Sequence, residues 1–213
     1  MSGFLYMYQN RIMHRDFKSA NILLDGSHIV IGDFGFAKAG AEVTCTKLGT
    51  PFNMSPEILF SNGTSAYTSK TDLWSIGVVF YQMLVGDLPF KANSMDELKS
   101  GVLNRSGNNV YFPSNIRISE DSKSLIRALL TLDQNLRISW KDAFNHPLFA
   151  KFSEFAPAKS VLSKTLRLGD GFKEGNSNNT TQASPRPSFN SNNDGSFNTF
   201  VENHFDQERK YVN

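Results

Sequence analysis

Five side chains able to do chemistry lie within eight positions of one short segment, residues 12–24 (IMHRDFKSANILL): His14, Arg15, Asp16, Lys18 and Asn21. A further carboxylate, Asp33, follows seventeen residues after Asp16, beside the conformationally permissive Gly35. Transfer of a phosphoryl group requires a carboxylate near the attacking hydroxyl, positive charge near the moving phosphate, and hard oxygen ligands for Mg²⁺. The segment and Asp33 together offer each of these groups, so their types and spacing favour phosphoryl transfer.

Two short apolar runs, residues 22–24 and 28–31, follow this segment and are separated by a turn that contains a glycine. β-Branched residues on both sides of such a turn predict a small hairpin. The hairpin places Asp33 at the end of its second strand, so that Asp16, Asn21 and Asp33 face one space.

The central part of the chain predicts helices. Residues 70–86 (KTDLWSIGVVFYQMLVG) are apolar on nearly all faces and stop at Gly86, which favours a buried central helix. A membrane span needs about 20 apolar residues, and Asp72 interrupts this shorter run, so we expect no transmembrane segment. Acidic first turns and apolar residues at helical spacing predict three further helices, in residues 94–103, 119–132 and 139–149, the last of them halted by Pro147.

The composition restricts the class of protein. The 213 residues suffice for one substantial core, and 22 basic against 20 acidic residues give a formal net charge of +2. This balance gives no support for nucleic-acid or anionic-membrane partners, and it leaves the oligomeric state open. The single cysteine, Cys45, excludes an internal disulfide, and the first residues lack the pattern of a secretion signal. We therefore expect a cytoplasmic or nuclear protein that is not secreted.

The composition changes in the last third of the chain. Residues 176–198 consist of Asn, Ser, Thr, Gly and Pro with almost no aliphatic side chains, which predicts disorder. Apolar residues then return at near-helical spacing, as either a docking helix or scattered side chains of a tail: Phe197, Phe200, Val201 and Phe205.

Several motifs occur in a fixed order along the chain: HRDFKSAN (14–21), DFG (33–35), GTPFNMSPE (49–57), DLWSIG, GDLPF, NLRIS and HPLF (146–149). In this order and spacing they resemble the eukaryotic serine/threonine protein kinases. The resemblance implies an α+β fold, the C-terminal lobe of a protein kinase, mainly α-helical with a small β-hairpin at the catalytic loop. It implies a partial kinase domain at residues 1–152, followed by an Asn/Ser-rich, disordered tail at residues 153–213.

The resemblance implies roles around the reacting groups. Asp16 resembles the catalytic base that accepts the proton of the substrate hydroxyl, and Lys18 resembles the residue that steadies the γ-phosphate of ATP. Asn21 and Asp33 resemble the ligands of Mg²⁺, and Leu23 resembles the apolar residue under the adenine ring. The central helix is expected to support this apolar residue through two side chains, Val79 and Met83.

Other matches concern specificity and regulation. A lysine two residues after the catalytic aspartate is typical of serine/threonine kinases, and so is Thr50, whose hydroxyl resembles the one that bonds the catalytic Asp and Lys. The resemblance therefore implies protein substrates with Ser or Thr acceptors. Arg15 resembles the arginine that pairs with a phosphate on the activation segment. Thr46 stands at the usual position of that phosphate, with Thr44 as the runner-up, which implies an upstream activating kinase.

The remaining matches imply structural roles. Glu57 and Arg137 resemble a buried ion pair that closes the activation segment. Asp72 resembles the helix-start carboxylate that bonds the backbone of the catalytic loop. His14 and Phe34, from the HRD and DFG motifs, are expected to have structural roles as well.

The sequence as written departs from the family before the catalytic loop. No G-x-G-x-x-G and no strand lysine precede it, although the family uses both to hold the phosphates of ATP. We therefore expect a kinase fragment truncated at its N-terminus and inactive as the 213-residue polypeptide. The alternative is a short, non-catalytic kinase-like lobe that binds kinase partners or competes for them. The first hypothesis is favoured because the four residues with implied roles in catalysis are all present: Asp16, Lys18, Asn21 and Asp33.

Overall fold

The computed structural model describes residues 1–26, 28–40, 43–44, 50–61 and 66–150. Seven α-helices lie within these residues: α1 (Ser2–Gln9), α2 (Pro56–Leu59), α3 (Lys70–Val85), α4 (Met95–Arg105), α5 (Glu120–Leu129), α6 (Trp140–Phe144) and α7 (Pro147–Ala150). Six short strands form three antiparallel pairs: β1 (Ile12–Met13) with β4 (Lys38–Ala39), β2 (Ile22–Asp25) with β3 (His28–Ile31), and β5 (Val43–Thr44) with β6 (Ala66–Tyr67). This architecture confirms the predicted α+β lobe, which is mainly helical and carries a small hairpin.

Helix α3 forms the centre of the lobe, as the sequence predicts. All residues from Thr71 to Val79 are buried. The helix ends at Gly86, whose φ of 77° is left-handed, a conformation that glycine adopts without steric cost. The N–H of this glycine donates to the carbonyl of Gln82 at 2.8 Å and so satisfies one of the last carbonyls of the helix.

Two apolar clusters lie on different sides of α3. One contains Trp74 and Val78 together with residues that follow the helix, among them Phe90, Ile126 and Leu130. The other contains Leu73, Ile76 and Val79 together with apolar residues from the two ends of the described chain: Phe4, Phe17, Trp140 and Phe144. Helix α3 therefore contributes to both clusters and joins the segment around Phe17 to the rest of the lobe.

The hairpin of β2 and β3 follows the chemically active segment directly. Its register pairs Ile22 with Ile31 and Asp25 with His28, and Gly26, directly after β2, has a φ of 59°. Beyond the open end of the ladder, the N–H of Gly32 donates to the carbonyl of Asn21 at 2.8 Å. The residues on either side of the hairpin are thereby held together.

One detail of the sequence interpretation is wrong. Pro147 was expected only to halt a helix, but α6 already ends at Phe144 and Pro147 begins α7, because proline fits the first position of a helix, where no intrahelical N–H bond is needed. Val79 and Met83 were expected to support the adenine site from α3; Val79 is buried and Met83 is 66% exposed, and their role there stays a prediction. The predicted tail at residues 153–213 lies outside the described residues.

The described helices include none that combines the length and apolar character required to cross a membrane.

Candidate active site

The segment that contains Asp16 is anchored to the first turn of α3 by one carboxylate. Asp72 accepts the backbone N–H of His14 at 2.8 Å and that of Arg15 at 2.9 Å, one on each oxygen. Burial raises the pKa of Asp72 above its ordinary value, and the two backbone hydrogen bonds oppose this in part. Arg15 has a φ of 69°, a backbone conformation that residues other than glycine rarely adopt. Because this conformation is strained, the loop needs hydrogen bonds such as those of Asp72 to hold it.

Asp16 lies in a cluster with Lys18 and Thr50. The Nζ of Lys18 is 3.0 Å from Oδ2 of Asp16 and also donates to the hydroxyl of Thr50 at 3.1 Å. The other carboxylate oxygen of Asp16 accepts the Thr50 backbone N–H at 2.9 Å and its hydroxyl at 3.2 Å. The side chain of Asp16 is 4% exposed and that of Lys18 is 18% exposed, so the ion pair is held at the edge of solvent. The structure thus brings together three residues that the sequence analysis singled out.

Asn21 and Asp33 flank the open end of the hairpin. Asn21 is buried, and its amide nitrogen donates to the carbonyl of Asp16 at 2.8 Å, which turns its oxygen away from that bond. Asp33 is exposed, has a φ of 57° and accepts the N–H of Gly35 at 3.3 Å. An amide oxygen and a carboxylate are the hard ligands that Mg²⁺ takes beside phosphate oxygens and water. The donor set of these two residues fits an ion that is bound together with a nucleotide.

No group of three or more His, Cys, Asp or Glu side chains within the described ranges is arranged to hold a metal ion. Mg²⁺ in nucleotide sites needs only one or two protein ligands, so Asn21 and Asp33 meet its requirement without such a group.

His14 is fully buried between the segment and the hairpin. Its Nε2 donates to the carbonyl of Gly32 at 3.0 Å, and its ring centroid is 5.2 Å from that of Phe34. Phe34 itself is 51% exposed. His14 therefore ties the loop around Asp16 to the chain immediately before Asp33.

Glu57 and Arg137 form a buried ion pair with two hydrogen bonds, each 2.8 Å long. The guanidinium also donates to three backbone carbonyls and lies 5.2 Å above the ring of Trp74. Burial would raise the pKa of Glu57, but the hydrogen bonds and charge of Arg137 outweigh burial and hold that pKa below its ordinary value. The pair joins α2, which follows the Thr50 turn, to the loop after α5.

Comparison with known proteins identifies the family. The family model described as protein kinase domain matches residues 1–149. The chain is 41% identical over 151 residues to serine/threonine-protein kinase atg1 of Dictyostelium discoideum, a match that covers 68% of this chain and 21% of that protein. The chain belongs to the eukaryotic serine/threonine protein kinase family. This confirms the resemblance drawn from the motifs.

Two other relatives of the kinase lobe give the same family. Serine/threonine-protein kinase 36 of Pongo abelii is 40% identical over 154 residues, which cover 70% of this chain and 11% of that protein. Serine/threonine-protein kinase ULK3 of Xenopus laevis is 34% identical over 172 residues, covering 78% of this chain and 35% of that protein. The chain thus spans about a third or less of the length of these three relatives.

The hairpin of this kinase lobe presents apolar side chains to solvent. Leu23, predicted to lie under adenine, is 50% exposed, and its Cδ1 lies 2.7 Å from the place where a Cβ on Gly32 would stand. Leu24 and Ile29 are 78% and 69% exposed. Such a group of exposed apolar side chains is typical of a surface that packs against another body.

The structure describes only part of the segment that the resemblance predicts to be the activation segment. The Nε of Arg15 donates to the carbonyl of Phe36, just after the DFG motif. Thr44 lies in β5, whereas Thr46 lies outside the described residues, so the predicted phosphate position remains a prediction.

The sequence analysis missed one buried polar residue at the site, Asn53. It lies in the 3₁₀ turn Pro51–Asn53 and is 6% exposed. The only available signal was an amide side chain within the apolar stretch PFNM, which does not reveal its bonding partner.

Proposed function

We propose that this chain forms the catalytic half of a serine/threonine protein kinase, which transfers the γ-phosphate of ATP to Ser and Thr hydroxyls of proteins. The observation that carries the proposal is the cluster of Asp16, Lys18 and Thr50. One carboxylate oxygen of Asp16 pairs with the ammonium of Lys18, and the other accepts two hydrogen bonds from Thr50. A carboxylate has about four lone-pair positions, so Asp16 can still accept a further proton.

In this proposal the oxygen of the substrate hydroxyl attacks the γ-phosphorus, and its proton passes to Asp16. The bond between that phosphorus and the bridging oxygen breaks, and this oxygen leaves with ADP. Lys18 holds its ammonium charge beside Asp16, where it stabilises the phosphoryl group during transfer. Thr50 bonds to both side chains and keeps them in register.

Asn21 and Asp33 would hold Mg²⁺, which when bound supplies the positive charge that offsets the phosphate oxygens of ATP. The bond from Asn21 to the carbonyl of Asp16 ties this ligand to the base, so the two functions share one short loop. Leu23, on the hairpin that follows, is the residue proposed to contact the adenine ring.

The test supplies the phosphate-binding elements that are not found before Asp16. A hybrid kinase is made by fusing the N-terminal lobe of a serine/threonine kinase, with its glycine-rich loop and strand lysine, ahead of Met1. We expect the hybrid to transfer labelled γ-phosphate to Ser and Thr of a basic protein, and the 213-residue chain alone to show none above background.

The decisive variant in the hybrid is Asp16→Asn, which keeps the shape of the side chain and removes the base. It should lower kcat by about 10²- to 10⁴-fold, because this is the usual contribution of a positioned general base. Asp25→Asn, at the other end of β2, is the matched control and should leave kcat unchanged. A hybrid whose activity is insensitive to Asp16→Asn, or that labels tyrosine, would contradict the proposal.

The alternative, a non-catalytic lobe that binds a kinase partner, is favoured by the exposed apolar side chains of the hairpin, Leu24 and Ile29. Under this alternative the hybrid would be inactive. Replacing both Leu24 and Ile29 with Ser would abolish binding of the chain to its kinase partner.

A further inference from the structure

Asn53 joins two parts of the site that are far apart in the chain. Its side-chain nitrogen donates to the carbonyl of Phe17 at 3.2 Å, and its own backbone N–H donates to the carbonyl of Thr50 at 2.9 Å. The carbonyl of Phe17 belongs to the peptide group that links Phe17 to Lys18. A single residue therefore closes the turn that begins at Thr50 and holds the backbone between Asp16 and Lys18.

Asn53 is itself fixed by α3. The hydroxyl of Ser75 donates to the carbonyl of Asn53 at 2.9 Å, and Ser75 is 5% exposed. Ser75 follows Asp72 by three residues, so the two side chains lie on one face of the helix. Since Asp72 holds the backbone of His14 and Arg15, one face of α3 reaches the catalytic loop on both sides of Asp16.

Three side chains thus hold consecutive parts of the loop. Asp72 bonds the two residues before Asp16, Asn21 bonds the carbonyl of Asp16, and Asn53 bonds the carbonyl of Phe17. A buried amide is costly unless its polar atoms are bonded, and both neighbours of Asn53, Phe52 and Met54, are buried apolar residues. The amide at this position is therefore explained by its bond to the catalytic loop rather than by packing.

We infer that Asn53 is a positioning residue for phosphoryl transfer: by holding the carbonyl of Phe17, it fixes the carboxylate of Asp16 and the ammonium of Lys18 relative to Thr50. The inference rests on the proposed function of the site. It gives a role to Asn53, a residue of the GTPFNMSPE motif to which the family resemblance assigned none, and it makes α3 the support for both sides of the catalytic loop.

The first test uses the complete 213-residue chain and requires no catalysis. In Asn53→Leu the side chain keeps a similar size but cannot donate a hydrogen bond. We expect the amide proton of Thr50, which donates to Asp16, to exchange with solvent at least about tenfold faster in NMR measurements, since its acceptor is no longer fixed. The amide of Leu129, in the core, should keep its exchange rate. Equal acceleration of both amides would show a purely structural role and overturn the inference.

The second test measures kinetics in the hybrid kinase. Asn53→Leu should lower kcat by about 10- to 100-fold, because small misplacement of a reacting group has this effect, while KM for ATP stays within about twofold. Ser75→Ala should lower kcat less than Asn53→Leu does. The variant that carries both substitutions should lose less activation free energy than the two single losses added together, because both residues act through one contact. Asn145→Leu is the matched control, since Asn145 also donates from its amide to a carbonyl, that of Lys141 at 2.9 Å, outside the site.

The outcomes separate the two proposals. If the hybrid is active and Asn53→Leu leaves kcat unchanged, the positioning role of Asn53 is overturned and the proposed function stands. The same holds if Asn53→Leu and Asn145→Leu change kcat and KM to the same extent. A hybrid that is inactive with Asn53 intact contradicts the proposed function, and the exchange of the Thr50 amide still decides whether Asn53 holds the loop.

Discussion

Arg137 and Glu57 pair through two hydrogen bonds of 2.8 Å although 80 residues separate them in the chain. The same guanidinium donates to the carbonyls of Thr131 and Lys70 at 3.0 and 2.9 Å. One side chain therefore satisfies a carboxylate and the ends of two backbone segments. The Arg137 side chain is fully buried and that of Glu57 is only 9% exposed, so water could replace the lost hydrogen bonds of this carboxylate only poorly.

Arg137→Met should reduce the free energy of unfolding by about 3 to 5 kcal/mol, because it leaves the Glu57 carboxylate buried without its counter-charge. Urea unfolding followed by circular dichroism measures the change. The matched variant is Glu57→Met with Arg137→Met, which removes both charges and should cost less than the single change. A loss below about 1 kcal/mol for Arg137→Met would mean that the pair is solvated and the prediction is wrong.

The pH dependence of stability should report the same pair. Arg137 holds the pKa of Glu57 below its ordinary value of 4.5 in the folded state, so the stabilisation is complete above pH 4.5 and is lost as the pH falls through the folded pKa. Unfolding measured from pH 7 to pH 3 should show this loss in the parent chain. In Glu57→Gln this part of the loss should be absent, and identical pH profiles would contradict the assignment.

Asp72 changes the stability in the opposite direction as the pH falls, and its contribution must be separated from that of Glu57. Its pKa is raised in the folded state, so the folded chain takes up this proton more readily and Asp72 favours folding more as the pH falls. The difference between the profiles of Glu57→Gln and the parent cancels Asp72, because it is common to both.

Much of the fold could be predicted because its signals are local. The hairpin was predicted from apolar runs on both sides of a glycine turn, and α3 from a continuous apolar stretch with a glycine stop. Pro147 was misread because proline can either follow the end of one helix or begin the next, and the local sequence does not distinguish the two roles.

The site shows the same limit. Asp16, Lys18 and Asn21 were found together because they share one loop, whereas Glu57 and Arg137 could be paired only through the family resemblance. Their pairing depends on how distant segments meet, and spacing along the chain carries no such information. Asn53 was missed for this reason, since its acceptor lies 36 residues earlier in the chain.

The close contact of α3 with the end of α5 at Gly77 gives a prediction, for which Gly101 serves as the control. A Cβ on Gly77 would lie 2.9 Å from the Cβ of Leu129 and 2.9 Å from Cδ2 of Leu130, so Gly77→Ala should reduce the free energy of unfolding by about 1 to 3 kcal/mol through overpacking. Gly101, in α4, is the control, because the nearest atom to its added Cβ is 3.9 Å away. Gly101→Ala should stabilise the chain by about 0.5 to 1 kcal/mol through helix propensity. Denaturant midpoints measure both changes, and equal shifts would refute the close contact.

The last prediction concerns activation through Arg15. This residue lies beside Asp16, and its guanidinium reaches the backbone of Phe36, where the activation segment begins. A phosphate on Thr46 would add charge-assisted hydrogen bonds to that guanidinium and order the segment. In the hybrid kinase, Thr46→Ala should lower kcat about tenfold or more, whereas Thr44→Ala should change it little. In an Arg15→Gln background Thr46→Ala should have no further effect, because the partner of the phosphate is already gone. Steady-state kinetics with phosphopeptide mapping test this, and an active hybrid that carries no phosphate on Thr46 would place the switch elsewhere.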